Sequence, residues 1–252
     1  MRYCLVSDEF FACSVFLLLQ MITSIGGYQF GSRSSIDVVI PHWFTEQQKN
    51  VTVSMHNEIR KSVSPPAADM LKLVWDDQLE KHAVAYSRTC PTFVNTNTSY
   101  SGYLWVGENM YISANVNIDE HYIKNVIQRW YNEAKDFDFS TRQCQPTKDC
   151  GHYTQIVWSI THSIGCGMTT CKNFKFAGEV FDLATVVVCN YVPGGNFSPN
   201  LYQAGPSCSK CQEKDICDNN LCLWKKNNQA SRLPSSLHYS FCFYLLFYYT
   251  NL

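Results

Sequence analysis

From Phe44 onward, the inward-facing positions of the chain repeat first with a helical period and only later with a strand period. Phe44, Gln48, Val51, Met55 and Ile59 recur at spacings of three and four, behind a Thr45–Gln48 pair with the form of a capping box. This pattern predicts a helix that Pro65-Pro66 stops. Asp76 is placed to cap a second helix, whose buried face would be Leu79, Ala83, Tyr86 and Cys90. Asp119 is placed to cap a third, with Ile123, Val126, Ile127 and Trp130 on one side. Glu133 continues that side three residues further on, which aims a carboxylate at the core or a cleft. After His152, the repeat Tyr153, Ile156, Val157 and Ile160 predicts a fourth, short helix. The period then changes. Gly165 to Cys171 and Thr185 to Tyr191 are rich in β-branched residues and bounded by turn residues, with Asn173 to Glu179 expected to connect them. Helices first and strands later predict an α+β domain whose helices cover a largely antiparallel sheet.

The segments outside this core bear on compartment. Residues 28–41 read as an extended leader. Phe10 to Ile25 is an apolar run followed by Gly26-Gly27, the form of a secretory signal peptide over residues 1–27, and it is short for a membrane span. Pro193-Gly-Gly-Asn196 closes the main domain, residues 223–236 read as a polar, basic linker, and 237–250 form an apolar, aromatic tail. That tail suits a signal for a glycosylphosphatidylinositol anchor attached near Asn227 to Ser231, or else has no role of its own. The chain has thirteen cysteines, of which ten lie between Cys90 and Cys222, an even number that suits five bridges in an oxidising compartment. The spacing Cys208-x2-Cys211-x5-Cys217-x4-Cys222 would suit zinc in a reducing compartment and disulfides in a secreted chain. Asn50, Asn97 and Asn196 each open a sequon for N-glycosylation. A net charge of −1 points away from a nucleic-acid partner.

Six fragments stand in order along the chain. They are "PPAADMLKLVWDDQL" (65–79), "VGEN" (106–109), "WYNE" (130–133), "CGHYTQIVW" (150–158), "IGCGM" (164–168) and "CNYVPGGNF" (189–197). The ordered set resembles the CAP superfamily of cysteine-rich secretory, antigen 5 and pathogenesis-related proteins, and within it the glioma pathogenesis-related-like subgroup. The resemblance implies a three-layer α-β-α sandwich over residues 45–200 and a small disulfide hinge over 205–222. It implies the bridges Cys90–Cys171, Cys144–Cys150 and Cys166–Cys189, with Cys208–Cys217 and Cys211–Cys222 in the hinge. Longer relatives carry one further bridge, and its positions hold Val106 and either Val192 or its neighbour Tyr191 here.

The family cleft has two histidines and two glutamates. By motif, Glu108, Glu133 and His152 carry over, and Val94 stands where the second histidine belongs. Three such donors imply at most a weakly held divalent ion such as zinc. They would equally serve as buried His–Glu ties between helices and sheet. The chain has no serine in a nucleophile elbow and no HExxH pair, so no catalytic residue is assigned. His56, in "MHNEIR", is expected to hold its helix through hydrogen bonds. The function implied is a secreted or surface-tethered, non-enzymatic binding protein in a reproductive or defence setting. Its partner would be an extracellular protein, or a sterol or lipid. The competing reading is a metal-dependent hydrolase built on the same cleft.

Overall fold

The computed structural model describes residues 38–95, 105–114, 117–196, 201–212 and 215–224, all within the unit that runs from Asp37 onward. The expected signal peptide, apolar tail and Asn97 sequon lie outside these residues, as does the expected polar linker from residue 225 on; its first residue, Leu223, ends a strand instead. Among the described residues, no helix is long and apolar enough to cross a membrane.

Strand β1 (Val38–His42) pairs antiparallel with β6 (Ser163–Phe176), β6 with β7 (Glu179–Val192), and β7 with the edge strand β3 (Gly107–Ser113). The short β2 (Val74–Trp75) joins β6 in parallel. The sheet is therefore antiparallel but for β2, and it begins ahead of Thr45, with part of the expected leader as its first strand.

Helices α1 (Glu46–Lys61), α3 (Glu120–Tyr131) and α4 (Gly151–Ile156) cover one face. There Ile123, Val126, Ile127 and Trp130 pack with Met168, Val187 and Tyr191. Helix α2 (Asp77–Ser87) covers the other, where Ala83 packs with Phe174, Ala184, Val186 and Val188. The Val186-Val187-Val188 run divides by strand alternation between the two cores. This is a three-layer α-β-α sandwich. The "IGCGM" fragment shows why glycine alternates in β6. A Cβ on Gly165 would collide with the backbone of Glu80 and Asp76, and one on Gly167 with the backbone of Val84, so α2 packs directly on the strand.

The expected caps form. Thr45 and Gln48 make a reciprocal capping box, and Asp76 and Asp119 accept from the first-turn N–H groups of α2 and α3. Three expectations shift. The buried face of α1 is Gln48, Thr52, His56, Ile59 and Arg60, while Val51 and Met55 are only partly buried. Polar groups line that face because each has an internal partner. Helix α4 ends at Ile156 and leaves Ile160 half-exposed, because the carbonyls of Ile156, Trp158, Ser159 and Thr161 turn onto the buried Arg60 guanidinium. The expected connection over Asn173 to Glu179 contracts to Ala177-Gly178, both at positive φ, which matches the twist of a tight hairpin.

Five disulfides brace the unit. Cys90–Cys171 ties the end of α2 to β6 across 81 residues of chain, and Cys166–Cys189 joins β6 to β7. Cys144–Cys150 links β5 (Gln143–Cys144), which pairs with β4 (Phe137–Asp138), to the start of α4. Cys208–Cys217 and Cys211–Cys222 hold the hairpin of β8 (Ile216–Asp218) and β9 (Leu221–Leu223). This hairpin is docked on the sandwich. Cys222 N donates to Met70 O, Lys72 N donates to Cys222 O, and Trp224 stacks on His162 at 3.8 Å.

Candidate functional site

Glu133 follows α3 in a 3-10 turn, Asn132–Asp136, and reaches the first turn of α4. One oxygen, Oε2, accepts from the backbone N–H groups of His152 (3.0 Å) and Tyr153 (3.1 Å). The other, Oε1, lies 2.6 Å from His152 Nδ1. The residue at the N-cap of α4 is Cys150, which makes no side-chain cap bond. Asp149 accepts from the first N–H, that of Gly151, and Glu133 supplies from another element the acceptor for the next two, with the charge sign that a helix N-terminus favours. The His152 ring also lies parallel to the Trp130 indole at 5.9 Å.

Glu108 comes from the edge strand β3, opposite Asn190 of β7. Its Oε2 accepts from Asn190 Nδ2 (2.9 Å) and its Oε1 from the backbone N–H of Asn95 (2.8 Å). Burial pushes this carboxyl up to about 7, and the two hydrogen bonds draw it partly back. Behind it, Asn190 Oδ1 meets His82 Nδ1 of α2 at 3.3 Å. The partners of Glu108 thus belong to the α2 side of the sheet, while those of Glu133 belong to α4. Among the described residues, the one set of three or more His, Cys, Asp or Glu donor atoms within 4.8 Å of one another is Cys208, Cys211 and Cys222. Those sulfurs are in disulfides and offer no thiolate. Glu108, Glu133 and His152 are not drawn together as a donor set. Each carboxylate accepts from the protein's own N–H groups, and the three side chains do not bring three donor atoms within 4.8 Å of one another, so the trio does not fit an ion as arranged.

A buried polar chain runs between these residues. His56 Nδ1 donates to Thr52 O (2.8 Å), which leaves Nε2 to accept from Tyr191 Oη (2.9 Å). Asn109 Nδ2 donates to Tyr191 Oη (3.3 Å) and to His152 O (3.1 Å). Burial lowers His56 to about 4 and holds the Tyr191 phenol far above its usual value. Arg60 lies one turn further along α1, and its guanidinium donates to the carbonyls of Leu71, Ile156, Trp158, Ser159 and Thr161. Sequence reading identified His56 and passed over Arg60, His82, Asn109 and Tyr191. The signal for Arg60 was available, since Thr52, His56 and Arg60 stand four apart on one helix stripe.

The Asn50 sequon and the asparagine of the Asn196 sequon fall on described residues. Asn50 is exposed on α1. Asn196 is exposed but bound at both ends of its amide, Nδ2 donating to Gly151 O and Oδ1 accepting from Thr154 Oγ1.

A disulfide-braced α-β-α sandwich with this cleft defines a class of protein. Residues 53–191 match the model of the CAP, cysteine-rich secretory protein family, and the chain belongs to that family. It is 38% identical to GLIPR1-like protein 1 of Bos taurus over 188 residues, covering 72% of this chain and 73% of that one. It is 31% identical to glioma pathogenesis-related protein 1 of Mus musculus over 239 residues, covering 94% and 86%. Among solved structures, NaASP2 with Zn2+ aligns over 72% of this chain and 97% of its own at 26% identity, with a TM-score of 0.57.

Proposed function

We propose that this chain acts outside the cell, secreted or tethered to the surface, as a rigid binding module that carries out no chemistry of its own. The observation that carries this reading is the commitment of the cleft carboxylates. Glu133 caps α4 and Glu108 holds Asn95 and Asn190, so both carboxylates serve the fold's own N–H groups. Five closed disulfides support the extracellular setting. The partner is an extracellular protein or a sterol-bearing lipid surface, and the setting, by kinship alone, is reproduction or defence.

The test replaces His152 with Ala in the oxidised, secreted protein. The binding reading expects attachment to target cells to survive, and no peptide or ester hydrolysis by the parent protein with or without added zinc. Zinc-dependent turnover that disappears in His152→Ala would establish the hydrolase instead. Release of surface-held protein by a phospholipase specific for glycosylphosphatidylinositol would establish the anchor, and protein found only in the medium would exclude it.

A further inference from the structure

A groove of about 570 Å³ separates α1 from the β8–β9 hairpin, and nothing in the cleft just described uses it. One wall is a stripe of α1 that includes Gln47, Asn50, Ser54 and Glu58, spaced by three or four residues. The other wall carries Lys72, Asp218 and Asn219, and the part-buried Val51 and Val53 supply apolar surface. The charges in the groove are already neutralised. Lys61 pairs with Glu58 at 2.7 Å and Lys72 with Asp218 at 2.6 Å. A site of this kind has little to offer an ion. It offers amide and hydroxyl hydrogen bonds above an aliphatic patch, which is the chemistry that suits a neutral polyhydroxyl ring.

Such a ring can be supplied by the chain itself. Asn50 lines the groove, is exposed, and opens the sequon Asn50-Val51-Thr52. We infer that an N-linked glycan on Asn50 lays its first N-acetylglucosamine in this groove and bridges α1 to the docked hairpin. The inference rests on the secretory reading above, because glycosylation requires that route. Asn196 makes a contrast, since its amide is spent on helix α4 and it does not line this groove.

The experiment uses the full chain secreted from cells that make only high-mannose glycans. Three forms are compared: untreated, trimmed by endoglycosidase to a single N-acetylglucosamine, and Asn50→Gln. Site occupancy is read by peptide mass spectrometry, and hydrogen exchange is followed over residues 216–223. The expected result is occupancy at Asn50, slow exchange in both the untreated and the trimmed forms, and several-fold faster exchange in Asn50→Gln. Asn50 left bare in a secreted protein with its disulfides formed would overturn the inference and leave the secretory reading standing. So would equal exchange in all three forms. Free thiols with no glycan at any sequon would bring down both.

Discussion

At the scale of single residues, the fold depends on polar groups buried in a helix face that would ordinarily be apolar. Arg60 is fully buried, and burial lowers its guanidinium to about 9. It is held there by five carbonyls, of which those of Trp158 and Ser159 also accept from the backbone N–H groups of Thr161 and Leu71. Arg60→Met keeps the volume but takes the donor from the carbonyls of Leu71, Ile156 and Thr161, and we expect a loss of about 3–5 kcal/mol in urea unfolding. A loss near zero would mean that water serves them equally well. His56 and Glu108 give opposite pH signatures. His56 is about 4 when folded against 6.5 as a free side chain, so stability is lost as pH falls from 6.5 toward 4. Glu108 is about 7 when folded against 4.5, so the folded state keeps a proton that the unfolded chain has released, and stability is lost as pH rises from 4.5 to 7. Between pH 4.5 and 6.5 the two slopes oppose each other and flatten the curve. Glu108→Gln removes one of them, and the variant should lose stability toward acid more steeply than the parent, by up to about 1.4 kcal/mol per pH unit. An unchanged slope would place Glu108 in solvent. These residues were only half legible in the sequence. Motif resemblance pointed to Glu108 and His56, but their partners Asn190, Tyr191 and Asn95 lie elsewhere in the chain and meet only through strand register.

At the scale of elements, caps and breakers could be read directly, because Thr45, Asp76, Asp119 and Pro65-Pro66 act on their immediate neighbours. Elements whose ends depend on remote partners could not. Helix α4 stops where Arg60 takes over its carbonyls, and β3 is a strand despite its Gly-Glu-Asn opening because β7 pairs with it along seven residues. The start of α4 belongs to the same group, since its cap comes from Glu133 across a turn. This gives an asymmetry between two residues that a shared active site would treat alike. Glu133→Ala removes the cap and should cost about 1–2 kcal/mol of stability. His152→Ala leaves both backbone bonds to Glu133 in place and should cost clearly less in the same thermal or urea melts. Equal costs would contradict the capping role.

At the scale of the whole molecule, the hinge is part of the folded body. Its hairpin shares backbone hydrogen bonds with Met70 and Lys72, and Trp224 just beyond it stacks on His162. Helices covering a largely antiparallel sheet and the number of bridges followed from periodicity and cysteine count, while the three-layer order came with the family resemblance. Which cysteines pair required the family resemblance, because spacing alone admits many connectivities. The molecule that results is a rigid, disulfide-braced sandwich whose His and Glu side chains hold its layers together. We propose that the cleft, with Glu133 capping α4 and Glu108 holding Asn95 and Asn190, is structural and takes no metal. Isothermal titration of zinc into the folded, oxidised protein, with His152→Ala alongside, tests it most directly. We expect the two proteins to give the same heats, with no site that depends on His152. A stoichiometric zinc site that disappears in His152→Ala would contradict the account.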